Sequence, residues 1–147
     1  MRNPRALAAL LVFTAILSLQ SQSTKNFKVR LSPVPVDIAM MANITGSGSA
    51  TAVLAGDKLT INGTFEGLKS NVTTAQVHKG PVAGVRGPVV FDLAVEGTTR
   101  GTIKGTLTLT SAQIDDLEKR RLYIQIHSEK APEGNLWGWL VEATGKK

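Results

Sequence analysis

The sequence predicts an all-β fold, an antiparallel Greek-key-like β-sandwich of about eight strands with one short crossover helix. Three observations predict it. Apolar and polar residues alternate through one short stretch after another across residues 49–143. Gly, Pro, Asn and Asp punctuate the gaps between those stretches. A single segment, beginning at Thr110, carries helical spacing with a cap. Two packed sheets are the simplest way to bury so many one-sided strands, and a closed barrel is the alternative.

The elements follow in chain order. Arg2 and Arg5 precede a charge-free run from Ala6 to Leu19, and short polar residues lead to Ser23. This is the three-part layout of a secretory signal peptide, so residues 1–23 are expected to be cleaved, after Ser23 or nearby Ser21. The run spans 14 residues, whereas a membrane helix needs about 20, so no membrane insertion is expected after cleavage. No Cys follows to carry a lipid. Losing Arg2 and Arg5 from 17 basic residues against 11 acidic ones leaves a mild net charge of +4. Nothing in that balance points to nucleic acid.

The full chain is 42% hydrophobic and 19% charged, which fits one globular domain and excludes a disordered tail or fibrous repeat. The absence of cysteine excludes disulfides, thiolate chemistry and Cys-containing metal sites. Residues 24–48 read as an N-terminal edge strand and linker. Asn26 to Leu31 alternates weakly, Pro33 and Pro35 stiffen the link, and Gly46-Ser47-Gly48-Ser49 is flexible. Residues 49–143 form the main domain, and 144–147 are a frayed tail.

Ser49 to Leu54 and Lys58 to Glu66 flank Ala55-Gly56-Asp57 and predict a hairpin. Leu59, Ile61 and Phe65 share its buried face, and Gly67 ends the alternation, leaving Leu68 out of phase. Val89 to Val95 alternates with Val89, Phe91, Leu93 and Val95 inward. Thr102 to Leu109 places Ile103, Leu107 and Leu109 inward.

The helix starts at a capping box, Thr110 with Gln113, and carries Ile114 and Leu117 as its apolar stripe. Asp115, Asp116 and Glu118 are expected early and Lys119, Arg120 and Arg121 last, matching the macrodipole; the cluster is given no function. Adjacent Asp115 and Asp116 diverge on a helix and cannot serve one substrate. No Gly-x-Ser-x-Gly turn accompanies the available Ser, His and Asp, so no enzyme is predicted.

Leu122 to Ser128 points Leu122, Ile124 and Ile126 one way and Tyr123, Gln125 and His127 the other. The chain then turns through Pro132 and Gly134. Leu136 to Ala143 returns with Trp137 and Trp139 on one face and Leu136, Gly138 and Leu140 on the other. Two indoles on one face predict a flat aromatic platform for a sugar ring or a partner if exposed, and a core or end cap if buried.

Five blocks carry a family resemblance: Ala75-Gln76-Val77-His78-Lys79-Gly80-Pro81, Gly87-Pro88-Val89-Val90-Phe91, Leu107-Thr108-Leu109-Thr110, Leu122 to Ser128, and Pro132 to Gly138. In this order and spacing, over about Ala50 to Leu140, they resemble the CHRD (chordin) domain. The resemblance implies an exported single-domain, all-β, non-enzymatic binding or structural module. Chordin's antagonism of bone morphogenetic proteins belongs to a larger chain with Cys-rich repeats and is not implied here. Many members have His-x-His where this chain has Gln76-Val77-His78, and Tyr123 to His127 matches a Tyr-x-x-x-His block. That pattern is similar to the copper ligands of copper/zinc superoxide dismutase.

An amide at position 76 is a poor copper ligand, so the alternative of a depleted copper site rests on His78 and His127. The plainer reading makes both imidazoles hydrogen-bonded strand residues, paired with main-chain groups or with Gln76 and Gln125. No cofactor is expected, with copper the exception to test. Partner contacts are assigned to Gln76, Tyr123, Gln125, Trp137 and Trp139, toward an extracellular or periplasmic protein or glycan. Asn43, Asn62 and Asn71 head Asn-x-Thr sequons, usable only in a eukaryotic secretory route. The protein is expected to be secreted or periplasmic, and unpaired edge strands would favour self-association.

Overall fold

The computed structural model describes residues 22–144. The predicted signal peptide, apart from its last two residues, and the tail beyond Thr144 lie outside the described residues. The elements run β1 (Thr24–Pro33), β2 (Ser47–Ala55), β3 (Lys58–Glu66), β4 (Val72–Lys79), β5 (Val89–Gly97), β6 (Gly101–Thr108), α1 (Ser111–Glu118), β7 (Leu122–Ser128), β8 (Ala131–Trp139) and β9 (Val141–Glu142).

The all-β expectation holds, but the strands close into a barrel. Eight of them form an antiparallel ring in the order β1-β2-β3-β6-β5-β4-β7-β8 and back to β1, and β9 adds to β1 alone. Two strands close the ring by passing from one sheet to the other. Thr24 to Leu31 of β1 pair with β2, whereas Ser32 and Pro33 pair with Trp137 and Leu136 of β8. Ala75 to His78 pair with the first half of β5, and Ala94 to Gly97 pair with β6. Alternation states which face is buried, and that is the same in a sandwich and in a barrel; the bonding partner at each edge decides closure.

Closure overturns the edge-strand reading of residues 24–48. Phe27, Val29 and Leu31 of β1 are core residues at 1–3% exposure, and the strand is hydrogen-bonded along both sides. Ser47, Gly48 and Ser49 belong to β2. The connection between the two strands is tied down: the Val34 amide donates to the Asn135 carbonyl (3.1 Å), Asn135 Nδ2 donates to the Thr45 carbonyl (2.8 Å), and Val34 and Ile44 pack with Ala131. Among the described residues the eight-strand ring has no open edge, which removes the edge-pairing argument for self-association.

The β2–β3 hairpin forms as predicted, with Ala55 opposite Lys58, so its turn is the two residues Gly56 and Asp57. Gly67 takes φ +76°, a left-handed conformation that side chains resist, and Leu68 is buried out of phase. In β5 Leu93 is buried, while Val89 is 45% exposed, not inward, because the β4–β5 register shifts between Val77 and His78 and breaks the alternation there. The chain reverses at Glu129-Lys130 rather than at Pro132 and Gly134, which lie within β8.

Helix α1 packs on the core through fully buried Leu117. Its capping box is complete: the Gln113 amide donates to Thr110 Oγ1 (3.2 Å) and the Thr110 amide to Gln113 Oε1 (2.9 Å). The macrodipole reading of its charges fails. The helix stops at Glu118 and Arg120 turns left-handed at φ 58°, so the acids fall in its second half and the cations beyond its end. The acids are matched by side-chain pairing instead. Buried Asp116 accepts from Lys79 Nζ (2.7 Å) and Arg121 Nη1 (3.4 Å), Asp115 pairs with Lys119 (2.7 Å), and Glu118 pairs with Lys25. The adjacent carboxylates of Asp115 and Asp116 thus diverge as expected.

Candidate functional site

Strand β7 fixes the site, because both of its faces are covered. Leu122, Ile124 and Ile126 point into the barrel at 0% exposure. Tyr123, Gln125 and His127 point outward, yet Tyr123 is 1% and Gln125 3% exposed. Register supplies their cover: His78 lies opposite Tyr123 and Tyr123 opposite Trp139, while Gln125 lies opposite both Gln76 and Trp137. Facing positions on adjacent antiparallel strands share a sheet face, so four strand-borne aromatic or imidazole rings meet with His127 on the outer wall.

Those rings are stacked. His78 lies against Tyr123 (5.0 Å between centroids, 20° between planes), and Tyr123 against Trp139 (4.7 Å, 28°). Trp137 stands edge-on to both Tyr123 and Trp139, the latter at 4.6 Å and 74°. The indoles are therefore half-buried and nearly perpendicular, not a flat platform. Leu136, Gly138 and Leu140 take the inward face.

The loop from Gly80 to Pro88 lies over this wall. The Gly87 carbonyl accepts from His78 Nδ1 (2.9 Å) and from the Tyr123 hydroxyl (3.2 Å), and the Gly87 amide donates back to Tyr123 Oη (3.0 Å). Position 87 tolerates only glycine, since an added Cβ would sit 1.7 Å from the Lys79 carbonyl oxygen. Arg86 donates to the Glu133 carbonyl (2.8 Å) and holds its guanidinium 5.5 Å from the Trp137 ring centroid, a cation–π contact. Neither Arg86 nor Gly87 is a predicted site residue. Gly87-Pro88 is legible as a loop, but what the loop covers depends on strand order.

The two histidines come together, with centroids 6.1 Å apart. His127 Nδ1 faces the Pro132 carbonyl at 2.8 Å. A carbonyl only accepts, so both imidazoles carry their proton on Nδ1 and keep a lone pair on Nε2. Gln125 Nε2 donates to His127 Nε2 (3.2 Å) and to the Glu133 carbonyl (3.2 Å). Three buried polar atoms on this wall have no protein partner: His78 Nε2, Gln125 Oε1 and Trp139 Nε1. Burial holds the His78 pKa below its ordinary value, with the charges of His127 and Arg86 acting the same way and the Gly87 carbonyl opposing. Gln76 is not in the cluster. It donates to Asp92 Oδ1 (2.8 Å) on β5, away from the histidines. Of the sequons, Asn62 and Asn71 are exposed and Asn43 is half-buried.

A family model for the CHRD domain matches residues 14–140. The chain belongs to the CHRD family. No curated protein and no solved structure gives a significant match. The five blocks on which the resemblance rests map onto this CHRD barrel as β4, the end of the β4–β5 loop with the start of β5, the end of β6, β7, and β8. Four of them thus build or cover the wall that holds the rings. A metal ion would find two imidazoles and one amide oxygen here; among the described residues no group of three or more His, Cys, Asp or Glu converges. That donor set suits an open, weak site and not a closed dismutase pair.

Proposed function

We propose that this CHRD protein is an exported, secreted or periplasmic, non-enzymatic binding module that contacts its partner through the outer wall of β4, β7 and β8. The observation that carries the reading is the set of unpartnered atoms. His78 Nε2, Gln125 Oε1 and Trp139 Nε1 are buried in one aromatic patch, where an orphaned polar group costs about 1–3 kcal/mol unless something pairs with it. A wall kept only for stability has no need of such groups. The partner is an extracellular or periplasmic protein or glycan rather than nucleic acid. Immobilised full chain and its Trp137→Ala/His127→Ala variant, exposed to extracellular or periplasmic extract and to a glycan panel, test this. A component retained by the wild type and released by the variant supports the reading; equal retention by both overturns it.

A second reading is copper binding, favoured by the two main-chain carbonyls that hold Nδ1–H on each ring, which leaves the buried His78 Nε2 without a partner and the His127 Nε2 with only the Gln125 amide. Orientation of an imidazole through its second nitrogen is what metal-ligating histidines need. Copper titration of the wild type, His78→Ala and His127→Ala decides it: stoichiometric uptake lost in both variants supports the reading, and no uptake by the wild type ends it.

A further inference from the structure

Beside the ring-lined wall, the outer face of β1 forms a shallow groove with quite different chemistry. It is lined by Lys28 and Arg30 of β1, Ser49 and Thr51 of β2, Trp139 of β8 and Val141 of β9. Register explains the grouping: Arg30 lies opposite Ser49, and Lys28 lies opposite both Thr51 and Val141. All these side chains leave the core face to Phe27, Val29 and Leu31. Trp139 joins the two regions, stacked on Tyr123 on one side and lining the groove on the other, with Nε1 unpartnered. Among the described residues five ion pairs occur, and none includes Lys28 or Arg30.

We propose that this groove binds an anionic polysaccharide, with Lys28 and Arg30 taking the carboxylate or sulfate groups, Trp139 the apolar face of a sugar ring, and the hydroxyls of Ser49 and Thr51 the sugar hydroxyls. Charge complementarity selects the ligand's sign, because two neighbouring unpaired cations on one strand face, on an exported chain of net charge +4, attract a polyanion. The single indole and flanking hydroxyls select its class. Single-stranded nucleic acid is held by successive aromatic platforms along a cationic track, and this groove offers one ring bordered by alcohol groups. A sugar ring presents both an apolar face for that ring and hydroxyls for those alcohols. The proposal rests on the binding-module reading and adds a second surface beside the wall, with its own ligand.

The test titrates the full chain with polygalacturonate, a sulfated dextran, neutral dextran and a single-stranded oligonucleotide, following tryptophan fluorescence and heat. Lys28→Gln/Arg30→Gln is compared with Lys58→Gln/Lys69→Gln, a charge-matched pair of exposed lysines outside the groove. The expected result is that an acidic polysaccharide binds, neutral dextran does not, the groove variant loses at least about tenfold in affinity and the control less than about twofold. Trp139→Phe weakens binding less than the loss of both charges. Equal losses in both double variants would reduce the effect to net charge and overturn the proposal. Tighter binding to the oligonucleotide, or no binding to either acidic polymer, also overturns it. Retention of a partner that is lost only in Trp137→Ala/His127→Ala would leave the binding-module reading standing without this groove.

Discussion

Strands β3 and β7 contribute to the same core but differ on their other face. In β3, Leu59, Ile61 and Phe65 are buried while Lys58, Thr60, Asn62, Thr64 and Glu66 are exposed, the ordinary pattern of an antiparallel strand with one wet side. In β7 every residue but His127 is buried, although its sequence alternates just as regularly. One β7 face is core; the other is a wall of rings, imidazoles and an amide beneath a loop. The difference teaches where to look for function in this barrel. A stability-driven fold needs only one buried face per strand, so a second, polar, incompletely paired buried face calls for another explanation.

The comparison breaks most sharply under core truncation. Ile124→Ala, on the inward face of β7, is expected to cost about 2–5 kcal/mol in urea unfolding, against about 0.5 kcal/mol or less for Thr60→Ala on the wet face of β3. Equal costs would mean that Ile124 is no better buried than the wet face of β3.

The base of the covering loop comes next. Lys79 enters that loop, and its partner Asp116 is buried while the two paired cations remain half-exposed. Asp116→Ala is expected to cost about 1–2 kcal/mol, below the figure for a fully buried pair because water still reaches Lys79 and Arg121. The pairing holds the Asp116 pKa below the ordinary carboxylate range. Its stabilisation is therefore present above the unfolded-state value and is lost as pH falls through the lower folded-state value. In an acid titration the stability gap between the wild type and Asp116→Asn should be present near neutral pH and close only in that strongly acidic window.

Tyr123→Phe removes both hydroxyl contacts to Gly87 while keeping the ring stack. The expected cost is about 1 kcal/mol. Proteolysis between Gly80 and Pro88 should accelerate, whereas the β2–β3 hairpin should stay protected. Unchanged loop cleavage would show that Tyr123 does not hold the loop.

The smallest effect is a pH slope from His78. Its folded-state pKa lies below the ordinary histidine value, so the unfolded chain takes up the proton first as pH falls. Stability is full above the unfolded value of about 6.5 and declines from there down to the lowered folded value. Thermal unfolding between pH 7.5 and about 5 should show that slope in the wild type and lose it in His78→Gln; a slope that persists assigns it to another group.

Much of the chain was legible without coordinates. Alternation located β3, β6 and β7 and put Ile103, Leu107, Ile124 and Ile126 inside, because period-2 spacing is a local property. Thr110 and Gln113 located the start of α1 for the same reason. The two-face pattern of Tyr123, Gln125 and His127 was equally readable. What remained hidden was non-local. The weak alternation of Asn26 to Leu31 looks like an edge strand until β2, β8 and β9 are seen to flank it. Val89 sits in an alternating run yet is exposed, because the β4–β5 register shifts between Val77 and His78 and leaves Val90 as an extra residue. Gln76 and His78 share a face, but Asp92 on the neighbouring strand draws Gln76 away from the histidines.

By itself, then, the sequence determined the strands, their inward faces, the helix cap and the family, all of which are written in residue spacing and order. Only the tertiary structure decided that the sheet closes, that β7 is buried on both faces, and that His78, Tyr123, Gln125, His127, Trp137 and Trp139 meet beneath Arg86 and Gly87. Closure and convergence depend on which strands become neighbours and in what register. Hydrogen bonds between residues far apart in sequence set that choice, and alternation within a strand is silent about it.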